Sequence, residues 1–185
     1  MKDNTVLTPH FKLREFTESA TAIKHGIDNR PTPEVVENLR RLCTHTLEPL
    51  REKLGLPIVI TSGYRTKALN DIIVHASRKS QHMSGQAADF YVKGIAGQAR
   101  NEASHRERLV KAFKTIITDE GIDFDQLIIY PSFIHVSYVS REKNRHQLTR
   151  ASGNGAYTAL SRADALSLVY SLWCIVYSQL RVYSS

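Results

Sequence analysis

From Val35 to Leu54, apolar residues recur every three or four positions: Val35, Val36, Leu39, Leu42, Cys43, Leu47, Leu50 and Leu54, with Thr46 among them. That spacing puts them on one stripe of a helix. Thr32 supplies an N-cap, Pro33 suits the first helical position and Glu34 is an acid in the first turn, while Gly55 and Pro57 end the run. Ile58-Val59-Ile60-Thr61 then predicts a short strand leading into Ser62-Gly63-Tyr64-Arg65. Residues 66–86 are polar and broken, with room for one short helix around 67–74. Ala87 to Val92 predicts a strand with Ala87, Asp89 and Tyr91 on one face. A helix over roughly 103–118 turns Leu109, Val110, Phe113, Ile116 and Ile117 inward. Gln126 to Tyr130 and Phe133 to Tyr138 predict a hairpin through Pro131-Ser132. Residues 1–31 read as an irregular arm, with Phe11 to Ser19 forming a turn or short helix.

These elements predict an α+β chain, a small antiparallel sheet flanked by helices, with one domain over residues 1–160 that includes the arm. Residues 161–185 form an apolar C-terminal tail. Its unbroken stretch is short for a membrane span and contains several serines, so a helix packed on the domain is the expected arrangement and a peripheral membrane anchor the lesser alternative.

Composition excludes whole classes. With 42% hydrophobic and 23% charged residues, the chain is near the globular average, which leaves out collagen-like, coiled-coil and wholly disordered proteins. Its 25 Lys and Arg against 18 Asp and Glu give +7, which favours an anionic partner such as nucleic acid, an acidic membrane surface or cell-wall polymer. Nucleic acid is not expected, because acids interleave with the bases over most of the chain and no nucleic-acid motif is present. Cys43 and Cys174 are too far apart for a CxxC metal pair and read as small core residues. The opening segment, Met1 to Phe11, lacks an apolar core of signal-peptide length. The expectation is therefore cytoplasmic synthesis, with release or export by a non-standard route if the protein acts outside the cell.

Two of the histidines stand out. His82 lies in Ser80-Gln81-His82-Met83-Ser84-Gly85-Gln86-Ala87-Ala88-Asp89, and His135 in Phe133-Ile134-His135-Val136. Asp89 is a carboxylate inside an otherwise apolar strand, which is costly unless it is paired or bound to a cation. Converging, His82, Asp89 and His135 would supply nitrogen and oxygen ligands with one open position, the composition of a catalytic zinc site. A buried Asp–His ion pair is the other outcome of the same residues.

The segments Ser62-Gly63-Tyr64-Arg65, Ser80-x-His82-x-x-Gly85-x-Ala87-x-Asp89 and Phe133-Ile134-His135-Val136-Ser137 resemble the motifs of peptidase family M15, the zinc D-Ala-D-Ala carboxypeptidases of the Hedgehog/DD-peptidase fold. The likeness extends over about residues 5–150, including Leu13-Arg14-Glu15-Phe16 and Leu47-Glu48-Pro49-Leu50-Arg51. It implies one zinc ion on His82, Asp89 and His135, and an Arg65 that reaches into the site to hold a substrate carboxylate or a developing oxyanion. The activity implied is hydrolysis of peptidoglycan stem peptides, of the D,D-carboxypeptidase or the endolysin-like L-Ala–D-Glu endopeptidase type. Synthesis without a standard signal is compatible with a phage-type lysin.

One feature departs from the family pattern. Many members place an Asp or Glu three residues before the last histidine, where this chain has Ser132. A zinc-retaining module of the same fold that binds without hydrolysing is the alternative this favours. Hairpin register decides what could replace the missing base. If Pro131-Ser132 is a two-residue turn, Ile128 faces His135 and Gln126 shares its side. If the register slips by one, Ile129 faces His135 and Asp125 shares its side. Asp125 is the expected base, with Glu120, Asp123 and Glu142 as weaker candidates.

Overall fold

The computed structural model describes residues 4–94, 102–152 and 156–182. Residues 1–3 and 183–185, which belong to the expected arm and tail, lie outside them. The arm opens with β1 (Val6–Thr8) and β2 (Phe11–Lys12), an antiparallel pair, and continues through α1 (Leu13–Thr17) and α2 (Ala20–Lys24).

The long amphipathic run forms α3 (Pro33–Leu42), a π-helical turn (Cys43–Leu47) and α4 (Glu48–Leu54). Thr32 caps it by accepting from Val35 N, and Gly55 ends it in the left-handed conformation at φ 63°. The wide turn has a visible cause. Pro49 has no N–H to offer the carbonyl of His45, and Asp123 N donates to that carbonyl instead at 3.0 Å. Thr46 Oγ1 adds a 2.5 Å hydrogen bond to the carbonyl of Asp123.

Next come β3 (Ile58–Ser62), α5 (Lys67–Ile72), a 3₁₀ turn (Gln81–Ser84), β4 (Ala87–Val92) and α6 (Glu102–Thr118). They are followed by β5 (Gln126–Ile129), β6 (Ile134–Ser137), β7 (Gln147–Ala151), β8 (Tyr157–Leu160) and α7 (Arg162–Val182). Strands β3 to β8 form one sheet in the order β3-β4-β6-β5-β7-β8.

The mixed α and β content is as expected, but the sheet is larger than expected and not wholly antiparallel. Two strands join beyond the hairpin, and β7 runs parallel to β5. The chain leaves β6 beside the start of β5 and is tied there, with Gln147 N donating to the carbonyl of Asp125 at 2.9 Å. It therefore starts β7 from the same end as β5.

Alternation along the central strands separates two faces. Ala88, Phe90, Val92, Leu127, Ile129, Ile134 and Val136 join Leu39, Leu42, Leu47, Leu109, Phe113 and Ile116 from the helices in one buried core. Emptying one of these positions, as in Phe113→Ala, would cost about 3–5 kcal/mol. The opposite face, with Asp89, Gln126, Ile128, Tyr130 and His135, lines a cleft of about 850 Å³.

Helix α7 lies along α6 and buries Ala165, Val169 and Val176. Arg162 Nη2 donates to the carbonyl of Ile117 at 2.7 Å, and Lys114 Nζ sits 5.4 Å from the centre of the Trp173 ring. Among the described residues, no helix is long and apolar enough to cross a membrane. Cys43 is buried, but Cys174 is exposed on the outer side of α7, so only the first is a core residue.

Candidate metal centre

Three short segments build the site, and two glycines set how closely they approach. Gly63 sits where a Cβ would lie 2.5–2.6 Å from the Phe16 backbone and Cβ, so no side chain fits there. The turn that follows is pinned by Tyr64 N donating to the carbonyl of Phe16 at 2.7 Å and by Thr66 N donating to Asn29 Oδ1 at 2.8 Å. Gly85 ends the 3₁₀ turn at φ 70°, against Val35, and passes the chain from His82 into β4. Within the sheet, Asp89 of β4 pairs directly with His135 of β6.

His82, Asp89 and His135 converge, with one donor atom from each lying within 4.8 Å of the others. His82 Nε2 is 3.2 Å from His135 Nδ1 and 3.3 Å from Asp89 Oδ1, and His135 Nδ1 is 2.7 Å from the same oxygen. A tetrahedral centre with bonds of about 2.0–2.1 Å separates its ligands by roughly 3.3 Å, so two of the three spacings suit zinc as they stand and the third needs a small opening. The tautomer of His82 also fits. Its Nδ1 donates to the carbonyl of Gly63 at 2.6 Å, which leaves Nε2 as a bare lone pair facing the cluster. Burial pushes the His82 pKa down against the pull of Asp89, which favours the neutral ring that a ligand needs. Burial alone would raise the Asp89 carboxyl, but the neighbouring His82 and His135 rings hold it well below the usual carboxylate range. The donor set therefore fits a zinc ion.

Arg65 comes into the same cleft. Burial lowers its pKa somewhat, against the pull of Asp89, yet a guanidinium stays charged. Its contacts are thin: Nη2 lies 3.6 Å from Asp89 Oδ2, Nη1 lies 3.5 Å from Asn70 Oδ1, and buried Nε has no hydrogen-bond partner among the described residues. A buried donor without a partner is costly, and an anionic ligand would relieve it.

The hairpin closes through a two-residue turn, with Tyr130 N donating to the carbonyl of Phe133 at 2.9 Å and Ile128 opposite His135. Gln126, not Asp125, therefore shares the face of His135. Asp125 borders the cleft from its rim, 1% exposed, with its carboxylate fully engaged. Arg145 donates to Oδ1 from its backbone N at 2.9 Å and from Nε at 2.8 Å, and to Oδ2 from Nη2 at 2.5 Å. Gln81 Nε2 and Ser137 Oγ donate to Oδ2 at 2.8 and 3.4 Å. Burial would raise this carboxyl, but the Arg145 and Gln81 hydrogen bonds bring it down to about 2. The expectation of Asp125 as a base rested on the other register, and the structure ties this carboxylate to a loop instead. Ser132 is exposed at the turn, where its carbonyl accepts from His105 Nε2 at 2.7 Å. Glu120, Asp123 and Glu142 lie outside the cleft lining.

Three cleft residues were missed from sequence. Gln81 and Arg145 had no signal, because their partnership with Asp125 spans 44 and 20 residues. Tyr130 did have one: it continues the alternation of Gln126 and Ile128 onto the cleft face.

A comparison with curated proteins found no match. A model of the family described as Peptidase M15 matches residues 9–137, a span containing the Ser62–Arg65 turn, the His82–Asp89 segment and His135. This match covers well over half of the chain, which therefore belongs to peptidase family M15.

Proposed function

We propose that this chain is a zinc peptidase acting on the stem peptides of peptidoglycan, as a D,D-carboxypeptidase or an L-Ala–D-Glu endopeptidase, in a Hedgehog/DD-peptidase-like fold. The observation that carries the reading is the convergence of His82 Nε2, Asp89 Oδ1 and His135 Nδ1 beside a buried guanidinium in an 850 Å³ cleft. When bound, the zinc ion supplies Lewis acidity, polarising a carbonyl and lowering the pKa of a water.

The chain's own residues do the rest. Gly63 fixes the His82 ring through its carbonyl, and Asp89 is held ionised. Arg65 brings its guanidinium to the cleft, where it can meet a substrate carboxylate or the oxygen of the scissile carbonyl. Lys79, Lys143 and Arg145 on the cleft wall suit an anionic peptide better than a neutral one. We assign Asp125 to holding the Gln81 turn and the Arg145 loop together, since a carboxylate with a pKa of about 2 and five hydrogen bonds is a weak proton acceptor. Action would be at the cell wall, reached by release or by a non-standard export route.

The same observation favours one second reading, a module that keeps zinc and binds wall peptide without cutting it. Among the described residues lining the cleft the acids are Asp89 and Asp125, and neither is free. Incubating the zinc-loaded protein with purified peptidoglycan separates the two. Release of new amine or carboxylate ends, abolished by chelator and restored by zinc, supports the peptidase. Retention on the polymer with no new ends supports the binder.

A further inference from the structure

Tyr130 lies on the cleft face of the sheet, two residues along from Ile128, the partner of His135. Its position is unusually well fixed for a residue beside a turn. The ring stacks on Phe133 with centroids 4.2 Å apart and planes within 13°, and meets Tyr157 edge-on at 87°. Its hydroxyl is 3.1 Å from that of Tyr157. Tyr157 is 58% exposed and has water for its own hydrogen bonds, so it can donate to Tyr130 Oη and leave the Tyr130 proton free to point into the cleft.

The Tyr130 phenol is also close enough to Asp89 and Arg65 for their charges to act on it, and Tyr130 acts in turn on Arg65. Burial pushes its pKa up, so the group remains a neutral donor. The cleft therefore presents two donors: a guanidinium from the β3 side, 3.6 Å from Asp89, and a phenol from the hairpin. An oxygen that gains negative charge between them would be stabilised by both.

We infer that Tyr130 is a catalytic residue, its O–H donating a hydrogen bond to the oxygen of the scissile carbonyl as charge develops there, opposite Arg65. This rests on the peptidase reading above.

The test uses the zinc-loaded full chain and its Tyr130→Phe and Tyr157→Phe variants. Each is assayed for turnover of a stem peptide, for zinc content, and for affinity towards a phosphinate analogue of that peptide, whose tetrahedral anionic centre resembles the transition state. Tyr130→Phe should keep one zinc and the wild-type KM within about threefold, while kcat falls about 10–10²-fold. Phosphinate affinity should fall by the same factor, and affinity for the cleaved peptide should not change. Tyr157→Phe should lose less than about tenfold, through freer motion of the Tyr130 hydroxyl. A Tyr130→Phe protein with kcat within threefold of wild type overturns the inference alone. So does an equal loss of phosphinate and product affinity, which would mark a role in packing. A zinc-loaded wild type that cuts no peptide overturns the peptidase reading, and this inference with it.

Discussion

Two acidic side chains border one cleft, and their surroundings give them opposite properties. Asp89 sits in β4 with imidazole nitrogens at 2.7 and 3.3 Å, and its nearest cation, Arg65, is 3.6 Å away with a poor contact. Asp125 stands just before β5 with both oxygens fully engaged, four of its five hydrogen bonds being 2.9 Å or shorter. The first stands beside the His82 Nε2 lone pair and an Arg65 guanidinium without a good partner, groups suited to holding a ligand. The second leaves nothing unsatisfied, the condition of a structural tie. What separates them is register. Asp89 lies on the cleft face opposite His135, and Asp125 lies one residue out of phase with that face.

The largest expected effect sharpens this contrast directly. Excess zinc should raise the melting temperature of the wild type and of Asp125→Asn, because an ion that binds the folded state alone stabilises it by about 2.7 kcal/mol at a hundred times its Kd. Asp89→Asn should lose most of that rise. Equal rises in the two variants would erase the distinction between the carboxylates.

A smaller effect concerns stability in the absence of metal. Asp125→Asn should cost about 1–3 kcal/mol, because it leaves Arg145 without its carboxylate although that side chain is half-exposed. The sign of the pH dependence follows from a folded pKa lowered from 3.8 to about 2. Stabilisation by Asp125 is fully present above the ordinary carboxylate value and is lost as pH falls from about 4 to about 2. In thermal melts, the gap between wild type and Asp125→Asn should close over that window. A gap that stays constant down to pH 2 would mean that the ion pair contributes nothing.

The smallest effect tests the link between the regions. Gln81 adjoins His82 and donates to Asp125, so Gln81→Ala should loosen the turn that carries the ligand. Stability should fall by less than about 1 kcal/mol and zinc affinity by a few-fold, both measurable by titration and melting. A loss of zinc affinity as large as that of Asp89→Asn would show that the tie is part of the metal site.

The same contrast explains what could be read from the amino-acid sequence. His82, Asp89 and His135 were legible because each is a polar residue in an apolar or small-residue setting, whereas Arg65 was legible only through the likeness of the Ser62-Gly63-Tyr64-Arg65 segment to the family motif. The long helix was legible from its spacing and caps, but its π-helical turn depends on Asp123, 78 residues from the His45 carbonyl it serves. Strands β7 and β8 were not legible. Gln147–Ala151 and Tyr157–Leu160 are short and only partly buried, and their place is set by the Asp125–Arg145 tie and by pairing with β5. The task of Asp125 was hidden for the same reason, since a one-residue change of register would have moved it to the other face. Cys174 looked like a core residue because its neighbours are apolar, but the exposed side of α7 is apolar too, with Tyr170 and Ile175 on it.

The central claim is that His82, Asp89 and His135 form a zinc site, and calorimetric titration of zinc into chelator-free protein tests it most directly. The account predicts one zinc per chain for the wild type, and no stoichiometric binding for a His135→Ala protein whose circular dichroism is unchanged. Absence of stoichiometric binding by the wild type, or binding that survives undiminished in His135→Ala, would contradict it.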